Sequence, residues 1–253
     1  MQQRRKASPL HRLGWGALFL VVVAVWIFYF FPIYWMVTSS FKTRIDTFAV
    51  PPQWFFVPTL QYYVHSFTDP DFLKVVGNSL LITGLTVLLS LTIGTWAAYA
   101  FARFRFKGAT VLSFSLIIAR MIPPIVFIVP LFLMMQAFKL RNTHAGLILI
   151  FTTFNLPFTV WMLKSFFEEA PVELEEAAWI DGASRLQALL RIILPLTAPG
   201  LAATAVFAAL LAWNEFLFAL LLGGPETTTL PVFLASYIGE RSVDWGEIMA
   251  TAV

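Results

Sequence analysis

The sequence predicts an all-α polytopic membrane protein, and three observations carry that expectation. Hydrophobic residues make up 59% of 253 positions and charged residues only 12%, against roughly 25% charge in a soluble domain. Mean hydropathy is +0.78. Apolar runs matching the roughly 20 residues that a spanning helix needs recur along the chain. Open sheet edges are not tolerated in the lipid core, so the spans are expected to be helices. The length corresponds to one membrane domain, residues 1–253.

The first span is placed near 13–37. Its apolar run, Gly14 to Val37, is too long for a cleaved signal peptide and lacks a clear small-x-small site. The basic residues Arg4, Arg5, Lys6 and Arg12 precede it. Residues 38–74 read as an external loop whose Trp54, Phe55, Phe56, Tyr62 and Tyr63 anchor it at the headgroups. Spans two and three fall near 75–101 and 109–135, joined by a short basic turn with Arg103, Arg105 and Lys107. Span four falls near 145–163 and a long polar loop occupies 164–199. Span five falls near 200–222, followed by an external loop over 223–246 that opens on the turn signal Gly223-Gly224-Pro225. Glu247 to Val253 reads as the start of a sixth span that stops short and is expected to be completed in the native protein. Prolines 32, 123, 124, 130 and 157 interrupt the spans as kinks. The positive-inside rule places the N-terminus, the 102–108 turn and the 164–199 loop in the cytoplasm.

Several function classes are excluded or disfavoured. Cysteine is absent, which removes disulfides, thiolate catalysis and cysteine metal sites. No G-x-x-x-x-G-K-[ST] phosphate loop, H-E-x-x-H helix or paired catalytic carboxylates occur, so no catalytic residue, metal site or cofactor is assigned to this chain. The net charge of +3 is no signal for nucleic acid. His11, His65 and His144 read as solvated or interfacial. A membrane enzyme would need a His or carboxylate cluster at one membrane face. A secondary transporter would show internal repeats and a mid-membrane ion site. Neither is seen.

The intramembrane polar residues form one candidate site. Arg120 lies in span three, Asn155 in span four, and Trp213, Asn214 and Glu215 in span five. A charge near mid-bilayer costs about 2.5–3.5 kcal/mol on insertion scales, so these residues should face the bundle or a water-filled path. Two readings stand: a translocation path for a neutral polyhydroxyl solute, or an Arg120–Glu215 ion pair and helix-to-helix hydrogen bonds that hold the bundle together.

The second candidate site is the polar loop, read from Glu173 onward as E-L-E-E-A-A-W-I-D-G-A-S-R-L-Q-A-L-L-R-I-I-L-P. Pro171 suits the first turn of a helix, with Glu173, Glu175 and Glu176 near the positive end of its dipole. Leu174, Ala177 and Ala178 form a small apolar face. Gly182 occupies a left-handed helix end. Ser184 with Gln187 makes a capping box for a second helix, whose apolar stripe is Leu186, Leu189, Leu190 and Ile193 and which Pro195 is expected to stop. The expected object is a helix–glycine–helix elbow, either a partner-docking element or an amphipathic interfacial hairpin.

The spacing Glu176-Ala177-Ala178, Asp181-Gly182, Ile192 and Leu194-Pro195 resembles the EAA signature of the permease subunits of bacterial ABC importers. Asp181-Gly182-Ala183-Ser184, Ser40-Phe41-Lys42, Asn78-Ser79, Ala98 to Arg103 and Ala212 to Glu215 resemble the carbohydrate branch, specifically the smaller permease of maltose- and trehalose-type importers. The resemblance covers most of residues 30–250. It implies a type I importer permease fold with a six-helix core in the bacterial inner membrane. It implies a second permease, two ATPase subunits that bind ATP and Mg, and an extracytoplasmic solute-binding protein. It implies that Glu176, Ala177, Ala178, Asp181, Gly182, Ile192, Leu194 and Pro195 form the contact with an ATPase. The solute it implies is a carbohydrate or polyol, with amino acids, peptides and glycerol phosphates as rivals.

Overall fold

The structure is a computed structural model that describes residues 9–239 and 245–253. Arg4, Arg5 and Lys6 lie outside the described residues, as do the side chains of His11 and Arg12. Among the described residues there are helices and connecting turns and no strand. The chain divides into two compact units, residues 1–70 with 236–253, and residues 71–235.

In the first unit, α1 (Pro9–Ser40) is a long apolar helix containing Pro32. The segment expected to be a loop after it holds two short helices, α2 (Arg44–Thr47) and α3 (Gln61–Thr68). Thr43 caps α2 by accepting from the Asp46 N–H. Trp54 folds back on Trp35 and Phe31. Lys42 is buried between the rings of Trp35 and Phe56, where cation–π attraction substitutes for an anion. The last helix of the chain packs on all three of these.

The second unit opens with α4 (Pro70–Arg103), 34 residues long. Its buried stripe, Asn78, Ile82, Thr86, Ser90, Gly94 and Ala98, recurs every fourth residue, and Gly94 lies directly against Thr159. The region expected as one span at 109–135 is broken. α5 (Ala109–Met121) ends before Pro123, a single 3-10 turn follows at Pro124–Phe127, and α6 (Ile128–Ala137) leaves at 96°. Pro123 forces the residue before it out of the helical region, and Ile122 is extended at ψ 125°. Two consecutive prolines therefore end the helix rather than kink it.

Next come α7 (His144–Glu169), capped by Thr143 and containing Pro157, and α8 (Val172–Ile180). The second arm of the elbow comprises α9 (Arg185–Ala188), a π turn at Leu189–Ile193, and α10 (Leu194–Leu196). α11 (Ala198–Trp213) then departs at 75° from that arm. The expected span 200–222 is interrupted too: α11 stops at Trp213 and α12 (Leu217–Leu222) starts afresh. The loop expected over 223–246 contains α13 (Leu230–Gly239), and the chain ends with α14 (Trp245–Ala252). Two core clusters hold the second unit. One gathers Ile82, Leu147, Phe151, Phe218 and Leu222, and the other Tyr99, Val160, Leu163, Phe167, Leu189 and Ile193.

Candidate functional site

The elbow is built from local sequence signals and then fastened to the bundle by a buried charge. Pro171 lies immediately before α8 as its N-cap rather than within its first turn. Gly182 adopts φ +87°, with Gly182 N–H bonded to the Trp179 carbonyl and Ala183 N–H to that of Ala178. Those bonds close the helix end around a left-handed residue, a conformation that a Cβ would strain. Ser184 accepts from the Gln187 N–H while the Gln187 side chain accepts from the Ser184 N–H.

Pro195 does not stop the second arm. The Leu194 N–H reaches back to the Leu189 carbonyl through the π turn, and Pro195 opens the final turn, where no N–H is required. The break falls at Thr197 instead.

Three glutamates that look alike in sequence have different fates. Glu173 and Glu176 are exposed, while Glu175 is fully buried. Its carboxylate accepts from the Tyr99 hydroxyl at 2.6 Å and pairs with the Arg103 guanidinium, whose side chain is 8% exposed. Arg103 also donates to the Ala170 carbonyl at 2.8 Å. A buried charge without such partners would cost several kcal/mol, on the order of 3–5. Arg185 of the second arm stacks on Trp179 and Phe104 at 4.7 and 5.2 Å. Both arms are thereby tied to the region where α4 ends.

The buried face of α8 is Glu175 and Ala178, so the expected face of Leu174, Ala177 and Ala178 is split. Ala178 packs inside the chain, whereas Leu174 and Ala177 are exposed. Glu176, Ala177, Ile180 and Asp181 form an outward acidic and apolar surface in which Ile180 is 86% exposed. Leu186 and Leu190 of the second arm are exposed as well, and Ile192 and Leu194 are partly buried against the inner core cluster. Pro195 is exposed.

In the bundle, Arg120, Asn155 and Glu215 line one cavity of about 400 Å³. Phe127, Phe154 and Phe218 form its aromatic wall, with ring centroids 5.6 and 4.5 Å apart in sequence. Among the described residues no ion pair joins Arg120 to Glu215. Arg120 sits 5.4 Å over the Phe158 ring, and Glu215 accepts from the Phe218 N–H at the start of α12. Asn155 donates to the Ala208 carbonyl, and its Oδ1 is buried without a partner. Trp213 and Asn214 do not line the cavity; Asn214 bonds back to the Leu210 carbonyl of its own helix. Among the described residues no cluster of His, Asp or Glu could hold a metal ion.

Sequence reasoning missed the roles of Glu175, Tyr99, Arg103, Asn78 and His144. His144 is not merely solvated: its Nε2 bonds Asn78 Oδ1 at 2.8 Å. The available signal was the three-residue spacing of Glu175 and Ala178, which puts both on one helix face.

Residues 90–253 match the family described as the inner membrane component of binding-protein-dependent transport systems. The chain is 38% identical to the sulfoquinovosyl glycerol transport system permease protein SmoH of Agrobacterium fabrum, over 88% of this chain and 79% of that protein. It is 36% identical to the trehalose/maltose transport system permease protein MalG of Thermococcus litoralis, over 94% of this chain and 85% of that one. Its backbone matches a chain of a bacterial ABC transporter involved in import of the acidic polysaccharide alginate, with TM-score 0.82 and 23% identity, covering 98% of this chain and 92% of the other. The elbow, the apolar helices and these matches agree that the chain belongs to the family of inner membrane components of binding-protein-dependent transport systems, as a multi-pass permease subunit of an ABC importer that is not catalytic alone.

Proposed function

We propose that this permease passes a carbohydrate or polyol across the inner membrane and takes its driving motion from an ATPase docked on the elbow. The reading is carried by one observation: the loop between α7 and α11 is an ordered elbow that buries Glu175 and leaves Glu176, Ala177 and Ile180 facing outward. An interfacial hairpin would turn its apolar side chains toward lipid and would have no need of a buried ion pair. The carbohydrate assignment rests on the relatives named for sulfoquinovosyl glycerol and for trehalose and maltose.

In this reading residues 1–253 act as one permease domain, with the N-terminus and the 164–199 loop cytoplasmic. The permease pairs with a second one, two ATPases bind ATP and Mg, and a binding protein delivers the solute from the far side. Closure of the ATPases displaces the elbow, and the helices alternate between two states of the bundle. Arg120, Asn155 and Glu215 contribute to the path. Trp213 and Asn214 are left out of it because they do not line that cavity.

Gly182→Leu tests the docking surface. No atom lies within 4 Å of an added Cβ at Gly182, so the chain itself has room for one. The residue is strained by its positive φ, by about 1 kcal/mol or more, and projects toward the docked partner. The expected outcome is a permease that inserts and pairs with its companion but loses the ATPase on co-purification, or hydrolyses ATP without uptake. Normal retention together with normal uptake would overturn the assignment. A sugar-binding screen of the partner binding protein identifies the solute.

A further inference from the structure

The bundle cavity holds a cation that this chain leaves without an anion. Arg120 of α5 stands about 18 Å of helix beyond Gly108, at 1.5 Å per residue, within a hydrocarbon layer roughly 30 Å thick. Its guanidinium keeps its charge at any working pH, and a charge at that depth is costly. Among the described residues its side chain has no ion pair and no hydrogen bond. Its neighbour is the Phe158 ring, 5.4 Å away. A ring face attracts the cation but does not replace a carboxylate-type acceptor for the N–H groups of the fork.

The other polar groups of the cavity are held differently. The Glu215 carboxylate accepts from the Phe218 N–H at 3.1 Å, so it is fixed at the start of α12. Asn155, only 4% exposed, donates to the Ala208 carbonyl at 3.0 Å, and its Oδ1 has no donor in the chain. Phe127, Phe154 and Phe218 supply an apolar aromatic wall. The volume of about 400 Å³ falls within the roughly 300–1,000 Å³ of small-molecule sites, where apolar walls give contact and a few polar groups fix orientation. Two needs are unmet: a planar donor fork without an anion, and an acceptor without a donor. The best complement of the fork is an oxyanion taken on two N–H groups. A sugar with an oxyanion carries both complements, an anionic group for Arg120 and hydroxyls for the acceptors. Glu215 disfavours the anionic group beside itself and accepts from hydroxyls instead.

We infer that the solute passing this cavity is a sugar or polyol bearing an anionic group (sulfonate, phosphate or carboxylate) held by Arg120, with the phenyl wall against its ring carbons. The inference rests on the cavity being part of the path. It makes Arg120 a specificity-determining residue of this chain, selecting for charge where the aromatic wall selects only for shape. The rival is a carboxylate of the companion permease that neutralises Arg120 permanently, in which case the cavity has no preference for anions.

The chain has no cysteine, so Thr153→Cys places a single thiol of this chain on the cavity wall. The membrane complex of both permeases and the ATPases is labelled with N-ethylmaleimide in open membrane fragments at fixed ionic strength, and the label is read from the mass of this chain. Glucose 6-phosphate and glucuronate are the anionic probes, glucose is the neutral one, and inorganic phosphate is the anion alone. The expected result is that the anionic sugars slow labelling at about tenfold lower concentration than glucose, the size of one charge-assisted hydrogen bond. Arg120→Gln should bring them to the level of glucose, and Arg120→Lys should keep part of the preference. Equal protection by glucose and the anionic sugars overturns the inference with Arg120 intact, and leaves the cavity standing as a path. A preference that survives Arg120→Gln, or is lost in Glu215→Gln, also overturns it. Inorganic phosphate protecting as well as glucose 6-phosphate overturns the sugar part. Protection by no probe rejects the cavity as the path, whereas the elbow is judged separately by Gly182→Leu.

Discussion

Removing the Glu175 carboxylate should destabilise the permease far more than removing the neighbouring Glu176. Glu175 is fully buried, and Arg103 keeps only 8% of its side-chain exposure. In Glu175→Ala the guanidinium retains the Ala170 carbonyl but loses the Glu175 carboxylate, and the Tyr99 hydroxyl loses its acceptor. Breaking a buried pair from one side costs about 3–5 kcal/mol. Tyr99→Phe removes one hydrogen bond to a charged group and should cost about 1.5–3 kcal/mol. Replacing both charges, Arg103→Met with Glu175→Leu, leaves no charge to desolvate, but the buried Tyr99 hydroxyl still loses its acceptor and the Ala170 carbonyl its donor, a cost of about 1–3 kcal/mol. Glu176→Ala, at an exposed position, should stay within about 0.5 kcal/mol. The assay is the thermal midpoint of the purified importer, followed by size-exclusion fluorescence. The expected order of stability is Glu176→Ala near wild type, then Tyr99→Phe and the double variant, then Glu175→Ala. A Glu175→Ala midpoint equal to wild type, or a double variant worse than the single one, would refute the buried-pair reasoning. On the proposed reading of the elbow as the ATPase contact, the double variant also separates stability from transmission: it should melt above Glu175→Ala and still show altered coupling, because the directed bonds to Glu175 are gone.

Two further outcomes are expected. Ser184→Ala removes half of the capping box and should cost about 1 kcal/mol, read as faster hydrogen exchange confined to residues 184–190, with Ser184→Asp restoring protection. The Lys74 ammonium, 2.7 Å away, holds the Glu226 carboxyl below the ordinary glutamate pKa of 4.5 by its hydrogen bond and its charge. A depressed carboxylate contributes stability that is present above pH 4.5 and lost as the pH falls through its lowered folded value. Acid should therefore lower the exchange protection factors of residues 226–230 once the intrinsic rate at each pH is divided out, and Glu226→Gln should show the lowered protection already at neutral pH.

Legibility tracked the range of the interactions. The Gly182 corner and the Ser184–Gln187 capping box are set by contacts three or four residues apart, so the sequence states them directly. Pro195 misled because a proline removes one N–H, and the π turn at Leu189–Ile193 accommodates that loss before it ends the helix. Pro123 and Pro124 misled in the opposite sense: one proline kinks a membrane helix, whereas two in succession at Ile122 turn it by 96°. Arg120 and Glu215 were marked by their charge alone, which indicates that they avoid lipid but not whether they meet. They line one cavity as separate groups, one over a phenyl ring and one at a helix start. The helix-face spacing with Ala178 marks Glu175 as inward, but its partners were illegible because they lie 72 and 76 residues earlier.

If the elbow is the ATPase contact proposed above, the buried charge sits where a transmitting element needs it. A docking surface held only by apolar packing can slide, because dispersion contacts are many, weak and undirected. Arg103 offers a planar fork with fixed directions, and here the fork is used in two of them, toward Glu175 and toward Ala170. Those bonds fix where α8 starts relative to the ends of α4 and α7. The second arm is held differently, by Arg185 stacked on Trp179 and Phe104 and by Leu189 and Ile193 in the core. It continues through Pro195 into α11. Force applied at Ile180 or Glu176 thus reaches α4 and α7 through directed polar bonds and α11 through the continuous chain. Gly182 needs only to hold its angle, and its two backbone hydrogen bonds are suited to that.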